Sequence, residues 1–150
     1  MKNELLSFVL FLLVAGCGVP GGGPGAAAGV EAAPLSVEID GRALRLEVDL
    51  WRDFQPVAPP DGQPLMAVAR VVAEDGRSLP EDVAVSRVWV LNGREQWAPE
   101  LSAAAEPMLA HMTDGPKWGP GISVDVVVRL ERGGESWLLR AADQPIKRTD

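Results

Sequence analysis

From residue 35 onward, apolar and polar residues alternate with a period of two. Leu44, Leu46, Val48 and Leu50 alternate with Arg45, Glu47 and Asp49. That pattern predicts a half-buried strand, because successive side chains of a strand point to opposite faces. Leu35, Val37 and Ile39 alternate in the same way with Ser36, Glu38 and Asp40, and Asp40-Gly41 falls between the two segments. Asp-Gly suits a type I′ turn, whose two central residues both need positive φ, so the pair reads as a hairpin. Residues 65–73 form an apolar run followed by the turn signal Asp75-Gly76. Residues 83–91 run into Asn92-Gly93, a strong hairpin signal, and 94–98 return. Farther on, Ile122, Val124, Val126, Val128 and Leu130 share one face, with Ser123, Asp125, Arg129 and Glu131 opposite. Val127 is the one apolar residue on that polar side. Gly133-Gly134 then turns the chain back into residues 135–142.

About seven short strands with regular turn signals predict an all-β domain, a single small antiparallel β-sandwich. In strand number and length it resembles the immunoglobulin-like class. The Cys…Trp…Cys spacing of antibody domains is absent, and a small barrel is the alternative. Two stretches do not read as strands. Residues 51–64 hold four prolines, which central strands exclude. In residues 99–121, Ala103-Ala104-Ala105 would form a helical turn stopped by Pro107, or Met108 to Met112 a short edge strand. Both readings stay open. Gly115 to Gly121 is a turn-rich loop.

The first residues follow a different rule. Leu5 to Val14 is an unbroken apolar run except for Ser7. As a helix it would rise about 15 Å, half of the roughly 30 Å hydrocarbon core of a bilayer. That is the length of a signal-peptide apolar region. The following Val14-Ala15-Gly16-Cys17 resembles the lipobox of bacterial lipoproteins. The resemblance covers residues 1–17 and implies a cleaved signal peptide over 1–16, diacylglycerol on the Cys17 thiol and acylation of the new amino terminus. A secretory signal with a chance cysteine is the plainer alternative. More than one acyl chain gives stable anchoring where a single chain does not, so the implied partner is the lipid bilayer. Gly18 stands where aspartate commonly marks inner-membrane retention in Gram-negative lipoproteins. The resemblance therefore implies the outer membrane, facing periplasm or cell surface, or the outer face of the cell membrane where there is only one. Residues 17–34 are Gly-, Pro- and Ala-rich without apolar periodicity and read as the lipidated cysteine and a flexible linker, with an average reach of roughly 20–25 Å. The β-sandwich domain is assigned to residues 35–150.

Composition narrows the partners. The net charge is −7, and nothing resembles a basic stripe, so nucleic acid is excluded as a partner. With one cysteine the domain has no disulfide pair and must hold together by apolar packing. Five tryptophans supply much of that area.

Candidate chemistry is sparse. There is no nucleophile elbow, phosphate loop, zinc spacing or cofactor motif, and His111 is the one histidine. The reading is non-catalytic, with an enzyme whose site carries no recognisable motif as the weakest alternative. Met108, His111 and Met112 lie within five residues. Thioether and imidazole suit Cu(I), with Met66 able to join them in space, so an exported copper-handling protein is the runner-up. The plainer reading is methionine packing under a loop. Trp51, Phe54, Trp97 and Trp118 flank loops. They are candidates for a ligand face toward an envelope protein or glycan, or else plugs for the ends of the sandwich. Trp89 and Trp137 lie within strands and default to the core. The combination Trp51-Arg-Asp-Phe54, Pro59-x-Asp-Gly-x-Pro-Leu65, Gly115-Pro-Lys-Trp-Gly-Pro-Gly121 and the closing Arg140-Ala-Ala-Asp-Gln-Pro-Ile146-x-Arg148 is similar to uncharacterised secreted β-sandwich domains of bacterial lipoproteins. The leading expectation is a membrane-anchored envelope lipoprotein serving as a binding or structural accessory module.

Overall fold

A computed structural model describes residues 29–101 and 106–150. The expected signal peptide, Cys17, most of the expected linker and Ala103–Ala105 lie outside the described residues. Among the described residues the chain is all-β, without helix, and no helix is long and apolar enough to cross a membrane. The strands are β1 (Val37–Ile39), β2 (Arg42–Asp53), β3 (Leu65–Ala73), β4 (Ala84–Asn92), β5 (Glu95–Trp97), β6 (Leu109–Gly115), β7 (Ser123–Arg132) and β8 (Glu135–Thr149). Hydrogen bonding runs in the order β5-β4-β7-β8-β2-β3-β6, with β1 paired to β2.

The expected purely antiparallel arrangement is corrected at one junction. β8 runs antiparallel to β7 along its first part, then pairs in parallel with β2, Leu50 opposite Ile146 and Asp53 opposite Thr149. The changeover needs a kink. Register slips between Val124 and Val126, and Asp143 takes φ 56°. Asp125 braces the kink by accepting from the Asp143 amide at 2.9 Å and pairing with Arg140 at 3.1 Å. Pro145, which cannot donate to a ladder, falls at this changeover, where the loss is tolerated.

The sheet curls so that both its halves share one core. Leu44, Leu50, Ala69, Val71 and Met112 from β2, β3 and β6 join Val88, Val90, Val126, Val128, Leu130 and Leu139 from β4, β7 and β8 in a single buried cluster. The alternation read from the sequence is the cause: these are the inward members of each strand.

Turn chemistry explains where the hairpins fall. Asp40 (φ 52°) and Gly41 (φ 70°) form the two-residue turn of β1–β2, as a type I′ turn requires. Asn92-Gly93 also makes a hairpin, but shifted by one residue. Asn92 pairs with Glu95, leaving Gly93-Arg94 as the loop, with only Gly93 at positive φ, the type II′ pattern. Asp75-Gly76 turns the chain without making a hairpin, because β3 pairs with β2 and β6 rather than β4. Residues 51–53, expected in a proline-rich loop, belong to β2, and Met108–Met112 resolves toward the edge strand β6.

The linker boundary also moves. Val30 and Ala33 are buried on the outer side of the sheet, in a small cluster with Trp89 and Val127. The Arg140 amide donates to the Pro34 carbonyl at 2.8 Å, and Arg140 Nε donates to the Ala33 carbonyl at 3.1 Å. Residues 29–34 therefore form a strap that belongs to the domain, not to the linker. Their Gly/Ala/Pro composition hides this, since small residues dock without producing an apolar period.

Candidate functional site

The end of the fold where β2, β6 and β8 finish is organised by Arg52. Alternation along β2 turns Arg52 to the same face as Leu44, Leu46 and Leu50, so it enters the core, only 3% exposed. Burying a guanidinium is costly unless its donors are satisfied. Here Nε donates to the Gln63 carbonyl at 2.8 Å and Nη1 to the Gly119 and Lys117 carbonyls at 2.7 and 3.2 Å. Nη2 donates to the Asp61 carbonyl. One side chain thus ties the loop after β2 to the loop before β7. Asp61 and Lys117 reinforce the tie with an ion pair between the same loops. The Lys117 ammonium bonded to it holds the Asp61 carboxyl below its ordinary range. Nothing in the alternation marks Arg52 as a carbonyl hub; only its position on the apolar side of β2 hints at it.

The four aromatic candidates share this end but do not form one surface. The guanidinium carbons of Arg52 and Arg148 lie 5.1 and 4.2 Å from the centroid of the Phe54 ring. The ring also covers Gly62, where a Cβ would come within 2.5 Å of it. Trp97 covers Gly115, where a Cβ would lie 2.7 Å from its ring. Trp97 and Trp118 both pack half-buried against the main core, as does Trp137. Phe54, Trp97 and Trp118 close this end of the fold, whereas Trp137 packs at the other end, beside Arg132. Trp51 is different. It points outward from β2, opposite Met66, and lines a surface groove of about 710 Å³ with Arg45, Glu47, Asp49, Arg70 and Lys147. Two ion pairs, Arg45–Glu47 at 2.6 Å and Lys147–Asp49 at 2.5 Å, border the groove. Its lining offers the indole of Trp51 and the aliphatic Leu46, Val48 and Val68 among several hydrogen-bonding groups.

The methionine–histidine trio is separated by the same alternation. Met108 and Met112 lie in the main core with Ala110, while His111 is exposed on the opposite face, in register with Val68. The three side chains do not converge. Met66, opposite Trp51, lies toward the outer face and not with the buried pair. Among the described residues no group of three or more His, Cys, Asp and Glu side chains is arranged to hold a metal ion. Cys17 lies outside the described residues.

Trp89, expected in the core, faces outward and is buried all the same. Its cross-strand partner is Val127, and the strap residues Val30 and Ala33 cover both. The guanidinium carbons of Arg87 and Arg129 lie 5.5 and 5.3 Å from the Trp89 ring. Sequence reasoning missed this cluster, although Val127 on a polar face was its signal.

Comparison with family models, with curated proteins and with solved structures finds no match to this chain.

Proposed function

We propose that the chain is an envelope lipoprotein, anchored in the outer membrane through acylated Cys17, whose exported part is one immunoglobulin-like β-sandwich acting as a non-catalytic binding or structural module. The observation that carries the anchoring is Val14-Ala15-Gly16-Cys17 directly after a short apolar run, with Cys17 the sole cysteine. The strand order supports the sandwich reading. Taken apart at the parallel β2–β8 junction, the sheet yields one layer of β2-β3-β6 with β1 paired to β2 and another of β5-β4-β7-β8, whose inner faces share the core. The groove beside Trp51 supports the binding role, and an envelope protein segment or a glycan is the kind of occupant its mixed lining fits.

Mass spectrometry of the native protein tests the anchor. The expected product is an amino-terminal peptide beginning at Cys17 and carrying the mass of several acyl chains. A protein beginning at Met1, or cleaved with a bare thiol at Cys17, contradicts the reading.

A further inference from the structure

The pairing of β4 with β7 sets Arg87 directly opposite Arg129. Like charges facing each other across a sheet are unfavourable. Arg45, Arg77, Arg132, Arg140 and Arg148 make ion pairs. Arg87 and Arg129 make none among the described residues. Both instead lie over the ring of Trp89. The indole offsets part of the repulsion, with the two guanidinium carbons 5.5 and 5.3 Å from the one ring centroid. Glu131, two positions along β7, forms no ion pair with either. In a chain of net charge −7, this is a pair of cations with no ion-pair partner among the described residues.

The second observation is where the chain arrives. The strap docks Val30 and Ala33 against Trp89 and Val127, so the polypeptide from the amino-terminal side reaches the domain on the very face that carries Arg87 and Arg129. Only residues 18–28 separate Cys17 from the strap, and even fully extended they span at most roughly 40 Å.

We propose that Arg87 and Arg129 form a phosphate-binding pair that engages the anionic headgroups of the lipid surface to which the chain is tethered, turning the β4–β7 face toward the membrane. Each guanidinium presents a planar fork of N–H donors, the geometry that takes two oxygens of one phosphate. Close to an anionic surface such cations gain attraction that fades within a Debye length. The opposite half of the sheet, with the groove at Trp51, is then turned toward the aqueous side. This inference rests on the lipid anchoring proposed above.

The test places the native protein on vesicles of phosphatidylcholine or of phosphatidylglycerol and treats both with an arginine-selective dicarbonyl reagent, with modified peptides read by mass spectrometry. Arg87 and Arg129 are expected to react several-fold more slowly on phosphatidylglycerol, while Arg45 and Arg70 react equally on both. Equal reactivity of Arg87 and Arg129 on the two surfaces overturns the proposal. Equal protection by inorganic phosphate added to phosphatidylcholine vesicles assigns the pair to a soluble anion and overturns the lipid assignment. The state of Cys17 is read from its own peptide in the same digest, so failure of the anchor and failure of the arginine pair give different results.

Discussion

Trp89 on β4 and Val127 on β7 stand opposite each other on the outward face of the sheet, and both are buried. Two apolar residues on an outward face need a cover, and Val30 and Ala33 supply it. The domain thus has two apolar layers, a main core between the sheet halves and a thin outer one sealed by the strap. The segment that covers Trp89 is also the one through which the proposed tether from Cys17 would enter the domain.

Arg52 holds two loops through four backbone carbonyls. Arg52→Met would keep much of the side-chain volume but remove the donors from those acceptors in a part-buried setting. A loss of about 3 kcal/mol or more is expected in urea unfolding. Arg52→Lys, with one ammonium that cannot span the same fork, should also destabilise, by a smaller amount.

Gly115 lies under the Trp97 ring in a conformation open to any residue. Gly115→Ala would therefore act through steric overlap alone, at a cost of about 1–3 kcal/mol. Combining it with Trp97→Ala should cost less than the sum of the two single changes, as a double-mutant cycle measures.

Met112 and His111 are adjacent in sequence and opposite in environment. Met112→Ala should cost about 2–5 kcal/mol, whereas His111→Ala should stay within roughly 0.5 kcal/mol of the parent. Equal losses at the two positions in thermal unfolding would contradict this placement.

Much of the fold was legible because one rule generated it. Alternation locates β2 and β7, apolar runs bounded by turn signals locate β3 and β4, and Asp40-Gly41 and Gly133-Gly134 locate two hairpins, since turn and strand preferences act over a few residues. What escaped depends on distant partners. Residues 140–149 continue as a strand through Pro145 because β2 is there to receive them in parallel. Arg52 is buried because Gln63, Asp61, Lys117 and Gly119 bring carbonyls to it from two loops. Val30 and Ala33 look like linker until Trp89 and Val127 give them a surface. At the candidate site, local sequence marks aromatic residues near loops but does not distinguish a ring that covers a glycine, such as Trp97, from one that lines a groove, such as Trp51.

Asp40 and Asp61 titrate below the ordinary carboxylate range, chiefly through hydrogen bonds from Arg132 and Lys117 respectively. A carboxyl whose folded pKa is lowered stabilises the fold above its unfolded pKa and loses that contribution as pH falls through the folded value. Stability should therefore show little dependence on these groups at neutral pH and decline below about pH 4. Asp40→Asn should flatten part of that decline. The effect is small, because both pairs are solvent-exposed, and urea midpoints measured across acid pH will show it.

The strap is the feature on which the orientation and the outer apolar layer both depend. Val30→Asp places a charge against Trp89 and Val127, and tryptophan emission with urea unfolding measures the consequence. The expected result is a red-shifted folded-state spectrum as Trp89 meets water, with stability reduced by about 2–3 kcal/mol. An unchanged spectrum and midpoint would mean that residues 29–34 do not cover this face.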